Sequence, residues 1–157
     1  PVEGINLIKV NSAEEMFNKS LECLPVDVAI FSAAVADYKV KNIEKEKIKK
    51  KESMELELEK NTDILKHISN HNSLRPKLVI GFAAETSELK KNSLKKLNEK
   101  NCDWIVANDV SNTEIGFNSD FNKVSIFYKN KNEEIIPKMK KSNIAEEIVN
   151  RITSELN

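Results

Sequence analysis

Apolar residues along this chain follow two spacings, one typical of buried strands and one typical of amphipathic helices. Three segments are almost entirely apolar, at residues 26–34, 78–84 and 104–107, as strands covered on both faces are. Apolar residues with helical spacing follow a capping box formed by Ser12 and Glu15, which predicts one helix. The same spacing follows the polar residues 61–63, which predicts a second helix. Because strands and helices alternate, we predict an α/β fold.

Four further segments complete the predicted sheet region. Residues 5–10 predict a short strand, and the charged residues 36–52 predict a loop. Residues 54–59 alternate apolar with acidic side chains, which predicts a strand with one face in water. Residues 124–129 and 134–139 predict a hairpin. We therefore predict a doubly wound, mainly parallel, Rossmann-like sheet with a late β-hairpin and an additional antiparallel strand.

Two of the predicted helices are defined by their capping residues. One is expected to begin at Thr86 or Ser87 and to end near Lys100. A second capping box, at Asn143 and Glu146, predicts the start of the last helix. The inner face of that last helix is expected to carry Ile144, Ile148, Ile152 and Leu156.

Composition narrows the class of protein. The 157 residues suit a single α/β domain, residues 1–157, and 39% hydrophobic with 32% charged residues is typical of a globular protein. The 25 basic residues balance the 25 acidic ones, so no overall positive field points to nucleic acid. No apolar run reaches the roughly 18–20 residues needed to cross a bilayer. The two distant cysteines predict reduced thiols, and we expect a cytoplasmic protein.

Small or polar residues follow three of the predicted strands. These ends are residues 32–37, residues 81–86 and residues 107–109. Ligands of open α/β sheets bind at the carboxyl ends of the strands, so three such ends together predict a binding site. Alanine also lets helices pack closely on strands, and that structural reading stays open for each end alone.

Clustered lysines supply the candidate cations for an anionic ligand. Lys47, Lys49 and Lys50 lie in the predicted charged loop, where mobile ammonium groups suit a polyphosphate. Lys96 and Lys100 are four residues apart and leave the same face of a helix. Lysine-rich surface without a ligand has the same composition, so this reading remains an alternative.

Several sites are excluded or weakly supported. The chain contains neither G-x-G-x-x-G nor G-x-x-x-x-G-K-[ST], which excludes a dinucleotide fingerprint or a P-loop within these residues. His67 and His71 have a spacing that can bind zinc, but no further ligand stands near them in the sequence.

Ordered motifs give the chain a resemblance to a known family. It resembles the synthetase domain that makes phosphopantothenoylcysteine in coenzyme A biosynthesis, which in bacteria is usually the C-terminal half of a bifunctional protein. Each motif alone is weak, but their order and spacing match the family. The matching segments are residues 33–38, 47–50, 58–64, 81–86, 107–110 and 116–120.

The resemblance implies a CTP-dependent phosphopantothenate–cysteine ligase. The carboxylate of 4′-phosphopantothenate would attack the α-phosphate of CTP and release pyrophosphate. The amine of L-cysteine would then attack the acyl-cytidylate and release CMP, with Mg²⁺ assisting. The protein would act mainly by positioning and charge neutralisation.

The resemblance also implies roles for individual residues. Lys47 would be the catalytic residue, on a mobile loop that closes on the triphosphate. Asp37 would lie near the metal ion. Thr62 is a departure, because the family commonly has proline there. The residues implied to bind CTP are Phe31, Ser32, Ala33, Asp37, Lys47, Thr62, Asp63, Ile64, Leu65, Phe82, Lys96 and Lys100.

One expected part of the family pattern has no match in residues 1–30. This part is a Gly- and Ser-rich phosphate-binding segment, so we expect a C-terminal portion of the ligase domain with little activity alone.

The resemblance implies a homodimer, with residues 54–59 as the pairing edge, and FMN only if a decarboxylase domain precedes. Two alternatives remain. One is a non-catalytic nucleotide-binding α/β module, and the other is an oxidoreductase whose fingerprint lies upstream.

Overall fold

A computed structural model describes residues 3–42, 46–49, 53–110, 119–130 and 132–157 of the chain. Helices and strands alternate along it, as the apolar pattern predicts. In chain order they are α1 (Ala13–Glu22), β1 (Val28–Phe31), β2 (Tyr38–Val40), β3 (Leu58–Lys60), α2 (Ile64–Ser69), β4 (Leu78–Glu85), α3 (Leu89–Lys100), β5 (Trp104–Asp109), β6 (Phe121–Tyr128), β7 (Glu133–Lys140) and α4 (Lys141–Leu156).

A five-stranded sheet in the order β1-β4-β5-β6-β7 forms the centre of the molecule. β1, β4 and β5 are parallel, and the late hairpin adds β6 and β7 as antiparallel strands. The predicted α/β class and the hairpin are therefore confirmed. The order contains no reversal among the described strands, so a ligand site at the carboxyl ends is not at a switch in strand order.

Apolar clusters cover both faces of the sheet. On one face Ile144, Ile148 and Ile152 of α4 pack against β4, β5, β6 and β7. On the other face Leu97 of α3 packs with side chains of β4 and β5, and Leu65 of α2 lies against the same cluster. The sheet is therefore doubly wound, with α2 and α3 on one face and α4 on the other.

The N-terminal segment differs from its prediction. Residues 5–10 do not form a strand, and Leu7 is 64% exposed. A strand needs a neighbour for its backbone hydrogen bonds, and no described strand pairs with this segment.

β1 also differs, because it was predicted to be covered on both faces. β1 has a single neighbour, β4, among the described strands, and Ile30 is 47% exposed. It is therefore an edge strand of four residues.

The additional antiparallel strand is shorter than predicted and has a partner within the predicted loop. β3 pairs with β2 in a separate two-stranded sheet, and residues 53–57 are not a strand. Met54 and Leu56 are exposed, because this small sheet offers them no packed layer. The rest of the predicted loop lies partly outside the described residues.

Two predicted helix starts are wrong. α3 begins at Leu89 after Glu88, which has a left-handed backbone and makes no side-chain cap. Asn92 orders this turn instead, donating to the backbone oxygen of Ser87 at 3.0 Å. α4 follows β7 directly at Lys141 and likewise lacks a side-chain cap. The last predicted inner residue, Leu156, is 44% exposed.

None of the helices in the described ranges combines the length and the apolar character that a membrane crossing requires.

Candidate functional site

A cavity of about 420 Å³ opens at the carboxyl end of β1, between that strand end and helices α2 and α3. Its volume lies within the range of about 300–1,000 Å³ that is usual for small-molecule sites. The lining residues come from five parts of the chain. They are Met16, Ser20, Ile30, Phe31, Ser32, Ala33, Val35, Ala36, Asp37, Asn61, Thr62, Asp63, Ile64, Leu65, Phe82, Lys96 and Lys100.

The first wall is the chain that leaves β1, which Asn61 holds in place. The Asn61 side chain donates to the backbone oxygen of Ala36 at 2.8 Å, and its backbone N–H donates to the oxygen of Asp37 at 2.8 Å. These two bonds connect the small-residue segment to the chain that enters α2. Asn61 therefore sets the width of the cavity on this side.

The second wall is the start of α2. Asp63 caps this helix by accepting from the backbone N–H of Lys66 at 2.9 Å. Leu65, on the inner side of α2, lies directly over Gly81 of β4, where a β-carbon would come within 2.8 Å of the leucine methyl group. The absence of a side chain at Gly81 therefore lets α2 approach the sheet beside the cavity.

Two half-buried lysines of α3, Lys96 and Lys100, form the cationic side. The Lys100 ammonium group is paired with the Asp63 carboxylate. Burial raises the pKa of Asp63, but the bonds from Lys100 and from the Lys66 backbone outweigh it, so the pKa lies below its ordinary value. The neighbouring Lys95 faces outward and pairs with Glu99.

Eleven of the twelve residues implied to bind CTP lie around this one cavity. Phe31 contacts the core cluster on the α3 face and Phe82 the cluster on the α4 face. Their contribution to binding stays a prediction. Of the three predicted strand ends, the first lines the cavity and the second contributes Phe82. Residues 107–109, the third, are not part of the lining.

The lysine loop is the part of the predicted site that the cavity does not include. Lys47 lies in the exposed stretch 46–49 and is not among the lining residues. Lys50 and residues 116–118 of the last matching motif lie outside the described residues. The catalytic assignment of Lys47 stays a prediction.

Sequence reasoning missed several lining residues. Asn61 lies within a matching motif at a predicted helix start, but the hydrogen bond from its side chain to the chain leaving β1 was not predicted. The helix predicted after Ser12 gave a clearer signal, because Met16 and Ser20 are four residues apart and therefore share one of its faces. Ile30 was predicted only as part of a buried strand, whereas Val35 and Ala36 belong to the strand end 32–37 that was predicted to form the site.

The donor set fits a magnesium ion bound together with a phosphate ligand. Mg²⁺ usually takes one or two carboxylates and completes its shell with water and phosphate oxygens. Asp37 lines the cavity and would supply one carboxylate. No group of three or more potential metal ligands occurs in the parts of the chain that the structure describes.

The histidine pair belongs to no group of three or more potential metal ligands among the described residues. The ring of His67 lies edge-on to Phe17, with ring centres 4.8 Å apart. Nδ1 of His71 accepts a hydrogen bond from the backbone of Leu74 at 3.1 Å. Both rings are thus used in local packing and turn formation.

Chemically, the cavity combines charged groups of both signs with a flat apolar surface. The ammonium groups of Lys96 and Lys100 face the carboxylates of Asp37 and Asp63, Lys100 being paired with Asp63, and Phe31 and Phe82 give aromatic surface. Small residues let a ligand approach the backbone, whose N–H groups bind anions.

Comparison with known proteins gives one family and a set of named relatives. The family model described as DNA/pantothenate metabolism flavoprotein C-terminal domain matches residues 1–156. The chain is 42% identical over 151 residues to the coenzyme A biosynthesis bifunctional protein CoaBC of Borreliella burgdorferi, covering 94% of this chain and 37% of that protein. The protein of the same name in Bacillus subtilis is 38% identical over 149 residues, covering 94% of this chain and 36% of that protein.

Two solved structures share the fold. The crystal structure of the C-terminal domain of a CoaBC protein is 34% identical, with a TM-score of 0.74, and the match covers 95% of this chain and 65% of that one. The DNA/pantothenate metabolism flavoprotein from Streptococcus pneumoniae has a TM-score of 0.77 at 20% identity, covering 99% of this chain and 75% of that one. The second of these supports the fold alone.

Proposed function

Because the chain belongs to the family of the DNA/pantothenate metabolism flavoprotein C-terminal domain, we propose that it acts in coenzyme A biosynthesis as the CTP-binding part of a phosphopantothenate–cysteine ligase. The relatives named above carry coenzyme A biosynthesis in their names, and this chain spans about 37% of the first of them. The substrates in this proposal are 4′-phosphopantothenate, L-cysteine and CTP.

One observation carries the proposal. Residues implied to bind CTP are scattered over 70 positions of the chain, from Phe31 to Lys100, yet eleven of the twelve surround a single cavity. A shared fold alone would not require the side chains of β1, α2, β4 and α3 to enclose one space of ligand size. This convergence supports nucleotide binding at this position.

Within the proposal, each part of the cavity has a physical task. Lys96 offsets the negative charge of the triphosphate, and Lys100, whose charge Asp63 already balances, would donate a hydrogen bond to it. The small residues 32–33 allow the nucleotide to approach the backbone. Asp37 would hold Mg²⁺, which when bound supplies charge neutralisation at the phosphate oxygens. Lys47 would approach the triphosphate from the exposed segment 46–49. The protein itself positions the reacting carboxylate and the α-phosphate.

Calorimetric titration of the chain with CTP and Mg²⁺ tests the proposal. Lys96→Ala is expected to weaken CTP binding roughly ten- to a hundredfold, since a charge-assisted hydrogen bond contributes roughly 1.5–3 kcal/mol. Lys95→Ala is the matched control, because Lys95 lies on the same helix but faces outward and pairs with Glu99. Equal losses in both variants, or no binding of CTP by the unmodified chain, would contradict the proposal. ATP in place of CTP measures base preference.

A non-catalytic nucleotide-binding module is the second candidate. It is favoured by one observation, the position of Lys47 outside the cavity lining. Lys47→Ala separates the two candidates when pyrophosphate release is measured with phosphopantothenate, cysteine and CTP in the full-length protein, because this chain alone is expected to have little activity. A ligase is expected to lose turnover while retaining CTP binding. Lys49→Ala, in the same exposed segment, controls for a general loss of positive charge.

A further inference from the structure

Lys100 is held at two points by the two ends of one short helix. At the start of α2, the Asp63 carboxylate pairs with the Lys100 ammonium group. At the end of α2, the Ser69 hydroxyl donates to the backbone oxygen of Lys100. The amide of Asn70 reaches the same oxygen at 3.5 Å. The backbone and the side chain of Lys100 are thus both fixed against α2.

Lys100 lies at the C-terminus of its helix, where hydrogen bonds within the helix constrain the backbone least. Lys100 is the last residue of α3, and Asn101 follows in a left-handed conformation with φ of 57°. Carbonyl groups of a final helical turn have no partner within the helix, so such turns fray. Ser69 is fully buried. Its hydroxyl also lies 3.2 Å from the Lys66 backbone oxygen, but its shorter contact is with the Lys100 oxygen, so it supplies the missing donor from outside the helix.

The guanidinium group of Arg75 links the end of α2 to the end of α3. Arg75 donates to the backbone oxygen of Ser69 at 2.8 Å and to that of Asn101 at 3.1 Å. The same guanidinium group bonds both carboxylate oxygens of Asp103, at 2.9 and 3.0 Å. The two helix ends therefore form one polar cluster beneath the cavity.

We propose that Ser69 is a positioning residue, which sets the place of the Lys100 ammonium group in the cavity by binding the Lys100 backbone oxygen. Ser69 is not among the residues that line the cavity, so any effect on a ligand is indirect, and Lys100 is the lining residue to which its hydroxyl is bonded. The inference rests on the proposed function only in taking the anionic ligand of Lys100 to be CTP.

Titration of the Asp63 carboxyl group by carbon-13 NMR tests the positioning without any ligand. In Ser69→Ala the last turn of α3 loosens, Lys100 leaves Asp63, and the Asp63 pKa is expected to rise toward its ordinary value. Ser93→Ala is the matched control. Ser93 is equally buried on α3, and its hydroxyl has no hydrogen-bond partner among the described residues. An Asp63 titration unchanged by Ser69→Ala would overturn the proposal.

A double-mutant cycle on CTP binding, measured in the full chain with Mg²⁺, tests the consequence. Ser69→Ala alone is expected to raise the Kd for CTP about five- to tenfold. In a chain that already carries Lys100→Ala, the same substitution is expected to raise the Kd less than about twofold. Equal effects in the two backgrounds would mean that Ser69 acts independently of Lys100, and this would overturn the proposal. Ser69→Cys, which keeps the size but donates weakly, replaces Ser69→Ala if that variant does not fold.

The two experiments keep this inference separate from the proposed function. If the unmodified chain binds no CTP, the proposed function fails, while the Asp63 titration still decides the role of Ser69. If the chain binds CTP and Lys100→Ala weakens that binding, but Ser69→Ala changes neither the Asp63 titration nor the Kd for CTP, only the inference about Ser69 fails.

Discussion

Removing the carboxylate of Asp103 is expected to destabilise the fold more than its surface position suggests. Asp103 lies just before β5, and its side chain is 21% exposed. Besides the two bonds from Arg75, one of its oxygens accepts the backbone N–H of Val79 at 2.7 Å. This last bond replaces a ladder bond at the start of β4, and Val79 is fully buried.

The size of the loss follows from which partners are left unsatisfied in Asp103→Ala. The guanidinium group of Arg75 keeps three backbone acceptors, so it is not left unpaired. The partly exposed ion pair itself contributes less than about 1 kcal/mol. The buried N–H of Val79 loses its acceptor, which costs roughly 1–3 kcal/mol. We expect a total loss of about 3 kcal/mol, or ~6–12 °C in Tm for a chain of this size.

Urea denaturation followed by circular dichroism measures this loss. Asp103→Asn keeps an oxygen for Val79 and is expected to lose only about 1 kcal/mol. Asp27→Ala is the control, because Asp27 pairs with Lys77 at the starts of neighbouring strands but both side chains are well exposed. It should be indistinguishable from the unmodified chain. Equal losses for the alanine and asparagine variants at position 103 would refute the reasoning, since it attributes the difference to the Val79 bond.

Three further outcomes are expected from individual contacts. Gly81→Ala would place a methyl group 2.8 Å from the Leu65 side chain, so we expect a loss of about 1–2 kcal/mol and weaker CTP binding as Leu65 moves into the cavity. Burial raises the pKa of the Cys102 thiol to about 11, so at pH 8 Ellman's reagent should modify one thiol in the native chain and two after unfolding. Burial first, and then Glu134, raise the pKa of Tyr128 from 10.0 to about 12. The stability that this shift provides is complete below pH 10 and is lost toward pH 12, and Tyr128→Phe should flatten that fall in urea denaturation.

The strands of the sheet centre were predictable because their surroundings are apolar on both faces. Residues 78–84 and 104–107 were predicted as buried strands and lie within β4 and β5. The inward stripe of α4 was also read correctly at Ile144, Ile148 and Ile152. In each case the element forms because its apolar side chains become buried, and the spacing of apolar residues in the sequence shows which side chains those are.

Elements that depend on a neighbouring strand were less predictable. Residues 5–10 have a strand-like composition but no paired neighbour among the described strands, and β1 has only one. Helix starts were also misplaced. A hydrogen bond from Asn92, within α3 itself, to the backbone oxygen of Ser87 orders the turn where α3 begins. The capping pattern used for the prediction considers only residues at the helix start and does not include this contact.

Most of the residues that line the cavity were predicted from the family resemblance rather than from the periodicity of apolar residues. The residues on α1 and the tie formed by Asn61 were missed because their contribution depends on how α1 and the β1 end pack together. Spacing along one helix shows which residues share a face. It does not show which other segment that face meets.

The single tryptophan determines what optical measurements on this protein can report. Trp104 is 3% exposed, and its ring meets that of Tyr128 edge-on with ring centres 5.2 Å apart. Such burial gives blue-shifted emission, and the close tyrosine transfers its excitation energy to the indole. Trp104 is not among the residues that line the cavity. Intrinsic fluorescence therefore reports the integrity of the core on the α4 face, and occupancy of the cavity calls for a labelled nucleotide.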